Sequence, residues 1–259
     1  LTTSPPPTSV PLGQNAPQTG ELVSSSPPAI ANPLPKPHNS GKPKVAIVVD
    51  DMGLRDKPGT DFLSLDLPLS FSFLPFSPFG AKHQKEAHVL GRDILLHLPL
   101  EPTDHKWDPG PGALLITMDP ATRERRFEED LHEVPHAIGI NNHMGSRFTA
   151  DRTAMTQLLS MVKKQHLFFL DSLTSSTSIG HQLASTMGIA AAQRTVFLDN
   201  IQTPEAITGQ IELLIQRARE QGEAIAICHP HPATLAALRG QRTRLLAETE
   251  MVGVSNLVH

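Results

Sequence analysis

The sequence lacks tyrosine and has a single cysteine, Cys228, among its 259 residues. An internal disulfide is therefore excluded within the given chain, and the cysteine content fits cytoplasm and periplasm equally. No apolar run reaches the length of about eighteen residues that a membrane-spanning helix requires. The opening segment LTTSPPPTSV also lacks the charged start and apolar centre of a secretion signal. We therefore expect the chain as given to be soluble.

An excess of basic residues is missing as well. The formal net charge is -4, and no cluster of lysine or arginine stands out. This balance disfavours nucleic acid as a partner, because phosphate backbones are bound through concentrated positive charge. Apolar residues make up 39% of the chain, which is enough to build a sizeable core.

Residues 1–42 contain ten of the 24 prolines and only three charged residues. Their lack of apolar periodicity predicts a disordered linker rich in proline and serine, followed by a folded domain over residues 43–259. Such a linker suits a tether to a membrane anchor or signal segment outside the given chain, although a plain flexible tail has the same composition.

Short apolar runs that end in polar groups recur from Lys44 onward. The seven strand candidates are VAIVVDD, LSFSFLP, DILLHLP, AIGINNH, LFFLDS, TVFLDN and AIAICHP. Helix starts are indicated between them at Asp119-Pro120, Asp151 and Thr203-Pro204. Alternating strands and helices predict a parallel sheet of the α/β class, either a distorted (β/α) barrel or an open doubly wound sheet.

Candidate chemistry lies at the ends of these strands, where parallel α/β folds place their functional groups. Asp50 and Asp51 follow the first strand, and the pair can bind a metal and accept a proton, or merely cap the following turn. The segment HLPLEP places His97 and Glu101 four residues apart as a candidate ligand pair. His97 can equally be satisfied by backbone hydrogen bonds.

Two further histidine motifs end later strands. In INNHMGSR, His143 is the strongest histidine ligand candidate, and the asparagines Asn141 and Asn142 can bind sugar hydroxyls or support the loop. In CHPHP, His229 or His231 can bind metal or protonate a leaving group. A mixed set of aspartate and histidine is typical of zinc, although another divalent metal is an alternative.

Taken together, KVAIVVDDMG, SFSFLPF, LLHLPLEP, GINNHMGSRFTAD, FFLDSLTS, RTVFLDN and IAICHPHP resemble the divergent polysaccharide deacetylase family. The resemblance covers roughly residues 44–257. It implies a deacetylase-type distorted (β/α) barrel of about seven parallel strands, a polysaccharide or glycan substrate, and a periplasmic or other extracytoplasmic location. It also makes a membrane tether outside the given chain more attractive.

The resemblance further implies a base at Asp50, a metal ligand at Asp51, and a histidine that assists the leaving group at His229 or His231. The family's usual pair of histidines spaced by four is absent, and His97 with His143 is expected to replace it. The residues expected to support the site or contact the substrate are Glu101, Asn142, Asp171, Arg194 and His231. Arg194 is expected either to orient Asp171 or to form a surface salt bridge.

Three functions compete on these residues. The leading one is hydrolysis of an acetyl group on an envelope polysaccharide, with zinc on Asp51, His97 and His143, Asp50 activating water, and His229 protonating the departing group. The second is an inactive glycan-binding or regulatory protein with the same fold. The third is metal-independent glycoside hydrolysis by Asp50 and Asp171. Metal content separates the first two.

Overall fold

Strands and helices alternate along residues 41–259, which are the residues described by this computed structural model. The strands are β1 (Lys44–Met52), β2 (Ser70–Phe73), β3 (Ile94–Leu100), β4 (Gly139–Met144), β5 (Phe168–Asp171), β6 (Ala191–Gln193), β7 (Val196–Phe197), β8 (Glu223–Cys228) and β9 (Glu250–Met251). The α-helices are α1 (Asp56–Leu63), α2 (Gly80–Val89), α3 (Pro120–Glu133), α4 (Arg152–Lys164), α5 (Gly180–Thr186), α6 (Pro204–Gln221) and α7 (Pro232–Glu248). Short 3-10 helices lie at Phe148–Ala150 and Val254–Leu257.

All strand pairs are parallel, and the main order across the sheet is β6-β5-β4-β3-β2-β1-β8-β7, with β9 added beside β1. The edge strands β6 and β7 are separated in sequence by only Arg194 and Thr195. The backbone N–H of Arg194 donates to Asp171 of β5, and that of Thr195 donates to Ile225 of β8. The sheet is therefore curled until its two edges meet, which confirms the predicted barrel-type fold.

All seven predicted strands are present. The strands β6 and β9 were not predicted: they are too short to show a period, and, unlike β7 within TVFLDN, neither was recognised as an apolar run that ends in polar groups. The predicted helix starts at Asp119, Asp151 and Thr203 are confirmed, since each side chain accepts a hydrogen bond from a backbone N–H in the first turn.

The two faces of the curled sheet carry different residues. On β1, Val45, Ile47 and Val49 pack in the larger apolar cluster with residues of the surrounding helices, whereas Ala46 and Val48 belong to a smaller inner cluster. Val254 and Leu257 near the end of the chain also belong to that inner cluster. Because strand side chains alternate between faces, Asp50 continues the inward series of Ala46 and Val48. The inner face is apolar toward the beginning of β1 and polar where β1 ends.

The predicted linker over residues 1–42 lies almost wholly outside the described residues and stays a prediction, as does the domain boundary at residue 43. Within residues 41–259, no helix combines the length and hydropathy needed to cross a membrane.

Candidate active site

An irregularity in β1 brings two consecutive carboxylates into one site. Val49 pairs with Phe71 and Met52 with Phe73, so β1 carries one more residue than β2 across this interval. Such a β-bulge redirects side chains, and Asp51 takes a φ of 55° within it. As a result, Asp50 Oδ2 and Asp51 Oδ1 lie 3.6 and 3.3 Å from the same atom, His97 Nε2.

Side chains from β1, β3 and β4 form a cluster with the spacing of a metal site. Asp51 Oδ1 lies 3.3 Å from His97 Nε2 and 3.2 Å from His143 Nδ1. The two histidine nitrogens lie 3.1 Å apart. Donors around a tetrahedral zinc ion, with bonds of about 2.0–2.1 Å, are about 3.3 Å from one another. The three atoms thus have the mutual spacing of three corners of such a site.

Asp51 has the properties expected of an anionic ligand. Among the residues that the structure describes, its buried Oδ1 atom has no hydrogen-bond partner, which is costly unless a cation completes its environment. Burial opposes ionisation of Asp51, but His143 and His97 together hold the pKa of its carboxyl group well below the usual value. The predicted metal-binding residues Asp51, His97 and His143 are therefore brought together by the fold.

Asn141 connects this cluster to Asp50. Its Nδ2 donates to Asp50 Oδ1 at 2.8 Å, and its Oδ1 lies 2.9 Å from His97 Nδ1. Because a carboxylate needs a donor, Nδ2 must face Asp50, and Oδ1 then accepts the proton on His97 Nδ1. That tautomer leaves the lone pair of Nε2 directed toward Asp51, as metal-binding histidines require. Ser72 also donates to Asn141 Oδ1.

Asp50 is almost completely buried at the inner side of the cluster. Burial raises the pKa of its carboxyl group, although His97, His229 and the hydrogen bond from Asn141 lower it in part. A carboxylate with a raised pKa accepts protons more readily than an exposed one. This environment is consistent with the role of base predicted for Asp50.

His229 faces the cluster from the far side. Its Nδ1 lies 3.1 Å from Asp199 Oδ1, while Asp199 Oδ2 accepts from the His229 backbone N–H at 2.7 Å and from Thr234 Oγ1 at 2.8 Å. Nε2 of His229 is 3.9 Å from Asp51 Oδ2. Burial opposes protonation of His229, but the hydrogen bond with Asp199 and the charges of Asp51, Asp199 and Asp50 raise its pKa to about 9. These carboxylates therefore favour the protonated ring at neutral pH.

His231 occupies a different position. Its Nε2 lies 3.1 Å from Gln202 Nε2, and its ring centroid is 5.7 Å from that of His229. Burial lowers the pKa of His231. Of the two histidines in CHPHP, His229 is thus the one directed toward Asp51, and His231 packs beside it.

Glu101 does not form the ligand pair with His97 that the sequence spacing suggested. His97 lies on the extended strand β3, where residues four apart are far separated along the strand, rather than on a helical turn. Glu101 instead accepts from the backbone N–H of Ile116 at 2.7 Å and pairs with Arg147 at 2.7 Å. These two contacts of its carboxylate hold the loop over residues 101–119 in place.

Asn142 and Asp171 also take supporting positions. Asn142 donates to the Met144 carbonyl at 2.8 Å and accepts from the Ser172 N–H at 2.9 Å, so its amide supports the loop, one of the two predicted alternatives. Asp171 accepts from Ser178 Oγ at 2.7 Å and from the backbone N–H groups of residues 173 and 181. These donors hold its carboxylate at the start of α5.

The guanidinium of Arg194 neither orients the Asp171 carboxylate nor forms a salt bridge among the described residues, contrary to both expectations. Its Nε and Nη2 donate instead to the backbone carbonyls of Ser172 and Leu173, at 2.7 and 2.9 Å. Carbonyl groups left free at the end of β5 are satisfied in this way, so Arg194 braces the loop that follows that strand.

Strained backbone conformations mark this edge of the sheet. Asp51, Phe76, Met144 and Leu173 have positive φ angles although none is glycine, and they lie at or just beyond the ends of β1, β2, β4 and β5. Such conformations cost about 1–3 kcal/mol each and persist where surrounding contacts enforce them, commonly at functional sites.

The sequence-based site assigned no role to Ser72, Ser172 and Asp199, and it gave Asn141 no part in holding Asp50 or His97. Asp199 follows an apolar strand just as Asp50 does, so its position at a strand end was a usable signal. For the other three, alternation along the strand was the available signal, because Asn141, Ser72 and Ser172 are polar residues within or just after otherwise apolar runs.

The sequence of the chain is similar to a family model and to two known proteins. Residues 47–258 match the family model described as divergent polysaccharide deacetylase. An uncharacterized protein of Haemophilus influenzae is 36% identical over 214 residues, which cover 83% of this chain and 76% of that protein. The uncharacterized protein YibQ of Escherichia coli K12 is 34% identical over 216 residues, covering 83% of this chain and 67% of YibQ.

Solved structures show the same fold. An uncharacterized protein from Agrobacterium tumefaciens C58 superposes with a TM-score of 0.80 at 28% identity, covering 85% of this chain and 91% of that one. The catalytic domain of peptidoglycan N-acetylglucosamine deacetylase from Eubacterium rectale gives a TM-score of 0.51 at 13% identity, over 83% and 90% of the two chains. A mutant of a carbohydrate esterase family 4 pseudoenzyme from Bacillus anthracis gives 0.51 at 12% identity, over 85% and 68%. At such identities the last two establish the fold alone.

Proposed function

The chain belongs to the divergent polysaccharide deacetylase family, and we propose that it is a metal-dependent deacetylase acting on a polysaccharide of the bacterial cell envelope. One observation carries this proposal above the others. Asp51 Oδ1, His97 Nε2 and His143 Nδ1 lie 3.1–3.3 Å from one another, with Asp50 and His229 on either side.

In this proposal Asp51, His97 and His143 hold a zinc ion or another divalent metal. A bound zinc ion would polarise the acetyl carbonyl and lower the pKa of a water molecule. The protein supports these ligands through Asn141, which fixes the His97 ring by its 2.9 Å contact with Nδ1. His97 and His143, on the neighbouring strands β3 and β4, take the place of the family's usual pair of histidines spaced by four.

Asp50 accepts one proton in the proposed reaction, and His229 donates another. Asp50 Oδ1 is held by Asn141, and Oδ2 is available to accept the proton of the attacking water. When the bond between the acetyl carbon and the leaving group breaks, protonated His229 donates from Nε2 to the departing amine nitrogen or hydroxyl oxygen. Asp199 keeps the proton on Nδ1 and so directs Nε2 toward the substrate.

Glycoside hydrolysis by Asp50 and Asp171 receives no support from the site. The Asp171 carboxylate is occupied by Ser178 and by the backbone N–H groups of Leu173, just after β5, and of His181, in α5. A second catalytic carboxylate must instead face the sugar ring. The glycan-binding alternative keeps the same fold and side-chain cluster without hydrolysis, and direct assay distinguishes it.

We further propose that the protein acts outside the cytoplasm, in the periplasm or an equivalent compartment. Support comes from the polysaccharide substrate that the family implies and from the proline-rich composition of residues 1–42, which suits a tether.

The test is metal content combined with acetate release. The full chain, purified without chelator, should contain about one zinc per molecule and release acetate from acetylated envelope glycans. His143→Ala should lose both properties. His166→Asn is the control, because His166 is an exposed histidine just before β5, at the end of the strands opposite the site, and asparagine tolerates its φ of 57°.

The two measurements separate the candidate functions. Zinc binding with acetate release supports the deacetylase. Glycan binding without acetate release, in protein that holds zinc, would replace the proposal by the glycan-binding function. Absence of bound metal after zinc is supplied would overturn the metal-dependent mechanism.

A further inference from the structure

Two exposed aromatic side chains stand on the loops that follow β2 and β3. Phe76 is 44% exposed and Trp107 is 42% exposed, although both are large apolar groups. Both loops begin at the carboxyl ends of neighbouring strands, the end of the sheet where Asp51, His97 and His143 also lie. Exposed apolar groups of this size beside a site commonly contact a ligand.

The Trp107 loop is fixed to the segment that carries the metal-binding histidine of β4. The backbone N–H of Trp107 donates to the Asp104 carbonyl, which closes a tight turn around His105. His105 Nε2 lies 3.2 Å from Arg147 Nη1, and Arg147 pairs with buried Glu101. Arg147 follows His143 by four residues, so the turn bearing Trp107 is held beside the loop that follows His143.

The same loop also packs against the one that bears Phe76. A Cβ atom placed on Gly112 would come within 3.1 Å of Pro75 Cγ, so the two loops are in close contact there. Phe76 itself has a φ of 55°, an unfavourable angle for a bulky side chain. The fold thus holds Phe76 exposed at a conformational cost, beside the loop that also exposes Trp107.

We propose that Trp107 and Phe76 form an aromatic platform on which sugar rings of the polysaccharide stack next to the reacting unit. The inference rests on the proposed function, because it assumes a glycan bound beside Asp51, His97 and His143. Pyranose rings present C–H groups on one face, and these pack against the negative face of an aromatic ring. A polymeric substrate extends beyond the reacting sugar, so such contacts can contribute binding energy at a distance from the acetyl group.

The composition of the chain provides a direct optical test. Trp107 is the only tryptophan, and there is no tyrosine, so tryptophan fluorescence reports on this platform alone. We expect titration of the full chain with the N-acetylglucosamine tetramer to shift and change the Trp107 emission in a saturable way. The absence of any change at millimolar tetramer would overturn the platform.

Variants separate stacking from other effects on the fluorescence. Phe76→Leu should weaken tetramer binding, followed by Trp107 emission, by about three- to tenfold. Trp107→Leu, followed by calorimetry, should weaken it by about tenfold or more, and Trp107→Phe should restore part of the loss. Val89→Ala is the control. Val89 is 78% exposed at the end of α2, just before β3 begins, and so lies at the amino ends of the strands, away from the site. Unchanged affinity in both aromatic variants would contradict the inference.

Failure of the platform and failure of the deacetylase can be told apart. If the protein releases acetate but the tetramer binds without using Trp107 or Phe76, the activity stands and the platform is wrong. If the tetramer binds through both aromatic residues but no acetate is released, the platform stands and the hydrolytic function is wrong.

Discussion

His97 Nδ1 lies 2.9 Å from Asn141 Oδ1, and this contact decides which nitrogen of the imidazole carries the proton. We therefore predict that Asn141→Leu lowers zinc affinity about 10–100-fold, since it removes the acceptor that orients the ligand. Competition with a chromogenic chelator measures the change. Asn256→Ala, at an exposed position near the end of the chain, is the control. Unaltered zinc affinity in Asn141→Leu would show that His97 is oriented by other contacts.

Asp199 is predicted to act through His229. Asp199→Asn removes the negative charge that keeps the His229 ring protonated and oriented, so kcat for acetate release should fall about 100-fold or more. Zinc content should stay near that of the unmodified protein, because the proposed ligands are Asp51, His97 and His143 and do not include Asp199. A variant with lost zinc and lost activity together would contradict this division of roles.

Asp130 on α3 should make stability depend on pH. It is fully buried, and within residues 41–259 neither of its carboxylate oxygens has a hydrogen-bond partner. Burial raises the pKa of its carboxyl group to about 8, although the charge of Arg126 lowers that pKa in part. The folded protein therefore binds this proton more tightly than the unfolded chain. The contribution of this proton to the free energy of unfolding is fully present below about pH 4 and is lost as the pH rises to about 8. The loss is at most about 1.4 kcal/mol for each pH unit.

Asp130→Asn should abolish that loss, because an amide does not titrate. Urea unfolding at about pH 5 and about pH 8 measures it, and the variant should gain stability relative to the unmodified protein at the higher pH. Glu250→Gln, exposed on β9, controls for a general effect of removing one negative charge. An equal stability difference at both pH values would show that Asp130 does not titrate in this range.

Glu101 is predicted to govern the order of the loop over residues 101–119. Glu101→Gln weakens the pairing with Arg147 and the hydrogen bond to Ile116 N–H, so the loop should open more often. Limited proteolysis should then cleave within the loop several-fold faster, with little change in the global free energy of unfolding. Identical cleavage rates would place the restraint elsewhere, for instance at the contact between Thr103 and Ser146.

Much of the fold followed from local patterns. The apolar run ending at Asp50 and Asp51 identified β1, and the pairs Asp119-Pro120 and Thr203-Pro204 located two helix starts, because caps depend on neighbouring residues alone. The strand β6 escaped prediction, since its three residues are fixed by pairing with β5 rather than by their own sequence.

The site was predictable only as far as strand ends could show it. Asp51, His97 and His143 were found because each lies at or near the carboxyl end of a parallel strand. The extra residue in β1 and the role of Asn141 depend on strand register and on a contact 91 residues apart in sequence, which no local pattern contains. The pairing of Glu101 with His97 was wrong because a spacing of four was judged as for a helix, whereas His97 lies on a strand.

The closing of the curled sheet has a consequence for behaviour at high concentration. A parallel sheet with two long open edges offers unpaired backbone groups on which another molecule can add a strand. Here the edge strands β6 and β7 have only three and two residues. Between them, the backbone N–H of Arg194 is bonded to β5 and that of Thr195 is bonded to β8. This part of the described chain therefore offers little template for strand addition, and the folded domain should resist aggregation by edge-to-edge pairing there.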